Sequence, residues 1–190
     1  MDRKQRIAIS GISLIARGGT HRLTHRAVDA EAGLPQGSTS YYARSRRDLI
    51  RLVMEQLSDE SQADLADLEI PATLTVEQAT DRVVKLAENL MTNSDAQAAR
   101  FALMFEVRDD EELRRELTLD APVRSVFERM AVELLRALAV ADPEGTAPGF
   151  VALVDAVLMY RAVEAAPIDP AEVVATYLRG LVKRTPMADR

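Results

Sequence analysis

Residues 33–43 form a short polar segment whose side chains are suited to bind another molecule. The segment reads GLPQGSTSYYA and is followed by three arginines, Arg44, Arg46 and Arg47. Hydroxyl, amide and guanidinium groups are the donors and acceptors that recognise base edges and phosphates of a nucleic acid. A helix buried in a protein core does not need this composition. The segment therefore predicts a short helix whose polar face stays open.

The residues before this segment predict the helix that positions it. Thr24 is a typical N-cap residue, because its hydroxyl can accept a free N–H of the first helical turn. Leu23 and Val28 flank this cap at the spacing of a hydrophobic staple. Gly33 suits the left-handed conformation that ends a helix. A helix, a glycine-containing turn and a short second helix make a helix-turn-helix, whose second helix enters the DNA major groove.

Two groups of side chains are the candidates for contact with double-stranded DNA. A glutamine can read adenine through paired hydrogen bonds, and a threonine methyl group can contact the thymine methyl group. Side chains around the turn are better placed to contact phosphates, which position a protein without specifying sequence. The alternative is that all of them belong to a solvated loop and turn. The candidates for bases and nearby phosphates are Gln36, Gly37, Ser38, Thr39, Ser40 and Tyr41, and those for the phosphate backbone are Thr24, His25, Arg26, Tyr42, Arg46 and Arg47.

The first fifty or so residues resemble the DNA-binding head of the tetracycline-repressor (TetR) family. The recognition helix of that family typically runs Gly-Val-Ser-x-Gly-Thr-Leu-Tyr-x-x-Phe and is followed by Ser-Lys-x-x-Leu. The resemblance implies a three-helix head, a larger helical body, and a dimer that binds a near-palindromic operator. The residues that match this pattern are Gly33, Gly37, Ser45 and Leu49, and the conservative changes are Ser38 and Arg46. Two positions depart from it, since Ser40 stands where the family has tyrosine and Ala43 where it has phenylalanine.

The charge distribution also favours DNA binding. The formal net charge of the whole chain is −6. Residues 1–51 contain ten Lys/Arg and four Asp/Glu, which gives +6, whereas the remaining residues contain 14 and 26, which gives −12. Neutralising phosphates supplies most of the sequence-independent affinity for a duplex, so a basic head on an acidic body is the expected arrangement.

The rest of the chain predicts an all-helical body. Apolar residues make up 47% of the sequence and aromatic residues 4%, which favours helix packing over aromatic-rich sheets. We expect about nine helices in two domains, a head of residues 1–50 and a body of residues 51–190. The fourth helix is expected from Arg46 to near Leu68. Residues 142–145 are expected to form a loop, and residues 147–164 a helix that is apolar on nearly every face and buried on all sides.

The last two helices predict a dimer interface, because they carry more apolar surface than a thin body can bury. In the TetR family the two terminal helices of each subunit form a four-helix interface. The alternative is that both helices complete the core of a monomer. The candidate interface residues are Phe150, Val154, Val157, Leu158, Val174, Tyr177, Leu178 and Leu181.

The body also contains methionine and aromatic side chains that can line an adaptable apolar pocket. The alternative is that each of them is an ordinary core residue. TetR-family ligands bind between the body helices, so the resemblance implies an unidentified small-molecule effector of apolar or amphipathic character. The candidate pocket residues are Met91, Phe101, Met104, Phe105, Phe127, Met130 and Tyr160.

Other kinds of site have little support. There is no cysteine, and the only histidines, His21 and His25, need not share a helix face, so we expect no metal and no cofactor. We expect no enzyme activity, since no nucleophile motif or phosphate-binding glycine loop is present. No apolar run is long enough to span a bilayer and the charged N-terminus is not a signal peptide, which predicts a cytoplasmic protein.

Together with the resemblance to the TetR family, these features predict a dimeric transcriptional repressor that a small molecule releases from its operator. Two alternatives stay open. One is a DNA-binding regulator without a small-molecule ligand. The other is a helical ligand carrier or enzyme with a degenerate head.

Overall fold

A computed structural model describes residues 1–65 and 69–184 of the chain. All regular structure within these two ranges is helical, which confirms the predicted all-α class. A short 3-10 helix (Thr20–Arg22) lies between the first two α-helices. The described helices are α1 (Arg3–Gly18), α2 (His25–Glu31), α3 (Ser38–Tyr42), α4 (Arg46–Leu65), α5 (Val76–Met91), α6 (Ser94–Glu106), α7 (Glu111–Leu117), α8 (Pro122–Ala137), α9 (Pro143–Ala162) and α10 (Pro170–Arg184).

Side-chain caps begin several helices where the sequence predicts them. The Thr24 hydroxyl accepts the N–H of Ala27 at 3.2 Å at the start of α2. Thr75 and Gln78 form a complete capping box at the start of α5, with distances of 3.2 and 2.9 Å. A cap satisfies an N–H group that has no intrahelical partner, and it contributes about 1 kcal/mol to helix stability. These helix starts therefore follow from residues that are close in sequence.

The first compact unit comprises Met1–Ala63 and Asn93–Arg124. Within it, α1 packs on α2, on the 3-10 helix and on α6. Gly11 lets α1 approach α4, since a Cβ at this position would lie 2.6 Å from the Val53 side chain. The helix-turn-helix thus rests on an apolar core that includes Ile7, Ile12, Leu23, Val28, Leu49, Val53 and Leu103.

The second compact unit comprises the described residues of Asp64–Thr92 and Ser125–Arg190. In this unit α10 packs on α5 and α9, and α5 also packs on α9. Phe150 of α9 stacks on Tyr177 of α10 with the ring centroids 5.9 Å apart. Aromatic pairs in this arrangement add to the free energy gained by burying their apolar area. The core around them includes Val83, Leu134, Leu135, Val174 and Leu178.

The predicted boundary between head and body lies inside α4, which continues through residue 50 to Leu65. The expected end of this helix near Leu68 lies outside the described residues. The division into a head of residues 1–50 and a body of residues 51–190 therefore stays a proposal about function.

The expectation of a loop at residues 142–145 is wrong. Asp142 is the N-cap of α9 and accepts the N–H of Gly145 at 2.9 Å, and Pro143 is the first helical residue. The sequence Asp-Pro suits a helix start as well as a turn, because a proline in the first turn leaves no hydrogen bond unmade.

Within the single chain α9 is not buried on all sides, which differs from the expectation. Phe150, Val157 and Leu158 are buried, but Gly149 and Ala152 are exposed in the structure. The sequence pattern does not reveal this, because an apolar side chain is compatible with both a core and an exposed interface. One face of α9 is thus apolar and open.

Candidate nucleic-acid interface

The turn that connects α2 to α3 depends on two glycines in the left-handed region. Gly33 follows α2 with φ of 62°, and Gly37 precedes α3 with φ of 93°. A Cβ on Gly37 would meet nothing within 4 Å, so its backbone conformation and not space is the reason for glycine. At the start of α3, the Ser38 hydroxyl donates to the carbonyl oxygen of Pro35 at 2.6 Å. The turn sets where the short helix α3 begins.

Most of the predicted DNA-contacting side chains lie on the surface of the head. Tyr41 is the most open of them, with 82% of its surface exposed, and its ring meets that of Tyr42 edge to face at 5.1 Å. Exposed polar groups on a short helix can reach base edges without moving the core. The exposed members of the set are Thr24, Arg26, Gln36, Gly37, Ser40, Tyr41, Tyr42 and Arg46, and the partly buried ones are His25, Ser38 and Arg47.

Thr39 is placed differently from the other predicted residues. It is completely buried, and its hydroxyl donates to the Asp29 carboxylate at 2.6 Å. A side chain inside the head does not present its methyl group to a thymine, so we leave Thr39 out of the DNA-contacting surface. Asp29 is not among the residues that the sequence pattern predicts for this interface. The available signal was a carboxylate directly after the buried Val28, on the apolar side of α2.

The environment of Asp29 favours its charged form. Burial raises the pKa of this carboxyl group, but hydrogen bonds from Thr39 and from the Gly37 N–H, together with the charge of His25, outweigh burial and hold the pKa below its usual value. Asp29 is thus an ionised group inside the helix-turn-helix.

Two of the predicted phosphate contacts, His25 and Arg46, also bind other parts of the chain. His25 Nε2 lies 2.7 Å from the Ala43 carbonyl oxygen. Arg46 donates to the Thr20 carbonyl oxygen at 2.9 Å and pairs with Glu106 at 2.9 Å. These partners hold the side chains in place, and an incoming phosphate would compete with them.

Arg47 takes part in a larger ionic cluster between α4 and α7. Its guanidinium group donates to both carboxylate oxygens of Asp110, at 2.9 and 3.0 Å, and to Glu112 at 2.8 Å. One helical turn later, Arg51 donates to Glu116 at 2.7 and 2.8 Å. Paired arginine–carboxylate contacts fix geometry as well as charge. The cluster therefore ties the start of α4 to α7 within the first unit.

The arginines of this cluster lower the pKa values of two of its carboxyl groups. The hydrogen bond from Arg47 lowers the pKa of Asp110 to about 2. The hydrogen bond from Arg51 likewise lowers the pKa of Glu116. In turn, Asp110 and Glu112 raise the pKa of Arg47. Asp110, Glu116 and Arg47 are therefore charged at neutral pH.

The predicted pocket residues are divided between the two units. Phe101, Met104 and Phe105 belong to the first unit, and Met91, Phe127, Met130 and Tyr160 belong to the second. Phe101 is buried under the guanidinium group of Arg100, which lies 4.3 Å from the ring centroid. In contrast, Phe105 is 69% exposed.

The predicted dimer-interface residues are mostly buried within the chain itself. Five of them, namely Phe150, Val157, Leu158, Val174 and Leu178, are buried, and Val154, Tyr177 and Leu181 are partly buried. A residue enclosed in its own subunit does not offer surface to a second copy, so the five belong to the core.

Among the described residues, no group of three or more His, Asp or Glu side chains could hold a metal ion. Within the same residues, no helix is long and apolar enough to cross a membrane.

Comparison with known proteins decides the family. Residues 74–184 match the family model described as "Tetracyclin repressor-like, C-terminal domain". The chain belongs to the TetR family. It is thus a DNA-binding transcriptional regulator of that family, and its helix-turn-helix is the expected DNA-binding element.

The fold of this TetR-family chain is shared by solved structures over nearly its whole length. A TetR-family member from Streptomyces coelicolor is 24% identical with a TM-score of 0.69, covering 95% of this chain and 98% of that one. A transcriptional regulator from Rhodococcus is 14% identical with a TM-score of 0.77, covering 96% and 97%. The multidrug binding protein EbrR, solved with proflavin, is 26% identical with a TM-score of 0.61, covering 95% and 99%. No curated protein matches the chain by sequence.

The ionic cluster generates a prediction about acid stability. A carboxyl group whose pKa is lower in the folded than in the unfolded state stabilises the fold above its unfolded pKa, and this stabilisation is lost as the pH falls through the folded value. For Asp110 this stabilisation is lost as the pH falls from about 4 to about 2. We expect Asp110→Asn to be less stable than the wild type at neutral pH and to lose less stability on acidification. Urea unfolding at a series of pH values measures this.

Asp109→Asn is the matched control, because the neighbouring Asp109 is highly exposed and pairs with Arg108. It should lose stability with the same pH dependence as the wild type. An unchanged pH dependence in Asp110→Asn would contradict the role of the Arg47 contact.

Proposed function

We propose that this TetR-family regulator is a dimeric repressor that binds a near-palindromic operator and is released by a small amphipathic molecule. The observation that carries the proposal is the open polar face of a helix-turn-helix, on a head whose charge is opposite to that of the remaining chain. The proposal has three parts, which are reading of the operator, dimerisation and release, and each has its own test.

For operator reading, we assign base contacts to Gln36, Ser40 and Tyr41, and phosphate contacts to Thr24 and Arg26. All five are exposed. Thr24 is the N-cap of α2, and the other four lie on the two helices of the motif or in the turn between them. A residue that contacts bases changes affinity for one sequence, whereas a residue that contacts phosphates changes affinity for all sequences. The two roles are therefore separable by experiment.

Binding sequences should first be selected from a random duplex pool, and affinities then measured at about 50 and 200 mM salt. We expect Gln36→Ala to weaken binding to the selected operator by about tenfold or more and to leave non-specific binding unchanged. Arg26→Ala should weaken both operator binding and non-specific binding. It should also lower the slope of the salt dependence by about 1, because one phosphate contact is lost.

Lys85→Ala is a suitable control, since it removes one positive charge from an exposed position on α5, outside the head. It should change neither affinity. Selection of no preferred sequence by the wild type would argue against an operator-binding repressor and would favour the carrier or enzyme alternative.

Dimerisation follows from the geometry of DNA, because two recognition helices must reach successive major grooves about 34–36 Å apart. The second unit has an exposed apolar face that suits this role. On α9, Gly149, Ala152 and Ala156 recur at helical spacing and are all exposed, and Tyr160 continues the row. Small residues let helices approach closely, and contiguous exposed apolar surface marks interaction sites.

α10 contributes to the same face. A Cβ on Gly149 would lie 3.5 Å from the Tyr177 hydroxyl, which places this part of α10 beside the α9 row. Gly180, three residues further on, has open space around it, and Thr176 is exposed. We therefore propose that the exposed small residues of these two helices form the interface, and not their buried residues.

A bulky charge on this face should separate the subunits. We expect Ala156→Glu to remain folded but to sediment as a monomer, because the new carboxylate would be buried against its symmetry copy. The affinity of this variant for the operator should fall together with the loss of the dimer. Sedimentation velocity and circular dichroism measure assembly and folding.

Ala72→Glu, which makes the same substitution at an exposed position before α5, is the control and should stay dimeric. A wild type that is monomeric at all concentrations would contradict the dimer, and a dimeric Ala156→Glu would contradict this interface.

Release by an amphipathic molecule is supported by the resemblance to EbrR, which has been solved with proflavin and with ethidium. Both are planar aromatic cations. The net charge of −12 on residues 52–190 would attract a cation. The Arg100–Phe101 pair shows that one aromatic ring of α6 already meets a planar cation inside the chain.

We expect proflavin to raise the melting temperature of the protein without DNA, since a ligand that binds only the folded state stabilises it by about 2.7 kcal/mol at a hundred times its Kd. Operator release should be tested with tetraphenylphosphonium, an aromatic cation that does not intercalate into DNA. A ligand that binds the protein but leaves operator affinity unchanged at saturation would exclude the switch, because only differential binding shifts the equilibrium. The regulator without a small-molecule ligand would then be favoured.

A further inference from the structure

The recognition helix α3 is too short to hold its own position. It has five residues, whereas isolated helices below about 12–15 residues are marginal in water. Its place in the head must therefore be fixed by contacts with other elements. The polar contacts that do so come from two residues of α2, His25 and Asp29, which are one helical turn apart.

Asp29 holds the start of α3. Its side chain is only 3% exposed, and it accepts three hydrogen bonds. The Gly37 N–H donates to Oδ2 at 2.7 Å, and the N–H and the hydroxyl of Thr39 donate to Oδ1 at 2.7 and 2.6 Å. Hydrogen bonds to an ionised acceptor are about twice as strong as hydrogen bonds between two neutral groups. The first turn of α3 thus has a fixed distance and direction from α2.

His25 holds the other end. Its Nε2 lies 2.7 Å from the carbonyl oxygen of Ala43, the C-cap residue of α3. A carbonyl oxygen only accepts, so Nε2 carries the proton and donates it. One face of α2 therefore contacts both ends of the recognition helix through polar groups.

We propose that Asp29, assisted by His25, is the positioning residue that gives this regulator its sequence specificity. It sets the angle at which Gln36, Ser40 and Tyr41 meet the base edges. The inference rests on the proposed operator binding. All three groups that donate to the Asp29 carboxylate belong to α3 or to the turn before it. The affinity for phosphates, in contrast, is supplied by arginines. Loss of the clamp should therefore remove the preference for the operator and keep the binding to any duplex.

The measured quantity is the ratio of non-specific to operator Kd, at one stated salt concentration, for the full-length protein. We expect Asp29→Asn to lower this ratio at least tenfold, because the amide NH2 would face the Gly37 N–H, donor against donor. Thr39→Val should also lower the ratio, since it removes the hydroxyl donor at nearly constant volume. Thr39→Ser keeps the hydroxyl, so its ratio should stay within about twofold of the wild-type ratio.

Glu31→Gln is the matched control. It makes the same change of charge on the same helix, but Glu31 pairs with Arg17 of α1. Its ratio should equal that of the wild type. Melting temperatures and the salt dependence of non-specific binding are measured in parallel, and a positioning role predicts that the latter stays unchanged in all variants.

Each outcome decides between the possibilities. A folded Asp29→Asn that keeps the wild-type ratio would overturn the positioning role and leave operator binding intact. Operator and non-specific affinities that fall together with the melting temperature would also overturn it, in favour of a purely structural role. If Asp29→Asn does not fold, the comparison of Thr39→Val with Thr39→Ser decides in the same way. A wild type without any preferred sequence would overturn the proposed function itself.

Discussion

The attachment of a five-residue helix to a stable neighbour is the constraint on which the DNA-binding part of this protein depends. A segment this short gains too few internal hydrogen bonds to offset the conformational entropy of ordering it. The chain meets this need in two ways. Ala43 and Thr39 bury one face of α3, and α2 binds the backbone at both ends. The opposite face can then carry polar residues, because the stability of the helix does not depend on them.

The same constraint explains the composition around α3. The family pattern has leucine where this chain has Thr39, and phenylalanine where it has Ala43. Both replacements reduce the apolar area that α3 can bury, which lowers the hydrophobic contribution to docking. The Thr39–Asp29 contact supplies a directional interaction in its place. A hydrogen bond fixes orientation more narrowly than apolar packing does, because its strength falls steeply with angle.

Charge in the head serves two purposes that compete. The sequence predicts phosphate contacts for Arg46 and Arg47, yet both arginines pair with carboxylates of Glu106, Asp110 and Glu112. A phosphate must replace these partners, so the net affinity gained from each arginine is smaller than its charge alone suggests. In return, the pairs connect the start of α4 with α6 and α7 inside one unit. A displacement of α6 or α7 would therefore change how strongly the carboxylates hold these arginines.

The sequence predicts those parts of the structure that depend on neighbours in the chain. The caps at Thr24 and Thr75, the glycine after α2 and the helix-turn-helix all follow from residues within one or two turns of each other. It does not predict contacts that arise when helices pack. Nothing near Thr39 shows that its hydroxyl meets Asp29, ten residues earlier, or that Arg47 meets Asp110, 63 residues later. The pattern of α9 has the same limit, because apolar residues on every face are compatible with a core or with an interface.

The proposed dimer would resolve that ambiguity in α9. The large residues Phe150, Val157 and Leu158 are buried in the chain, whereas the exposed row consists mainly of glycine and alanine. Small side chains leave little apolar area in contact with water, so the row is tolerated in a free subunit. For the same reason, burying it contributes little hydrophobic free energy per residue. A dimer formed through this row must therefore gain its stability from close contact along the length of both helices, where many weak dispersion contacts add up. Such an interface is sensitive to any added volume, which is why a single bulky charge is a stringent probe of it.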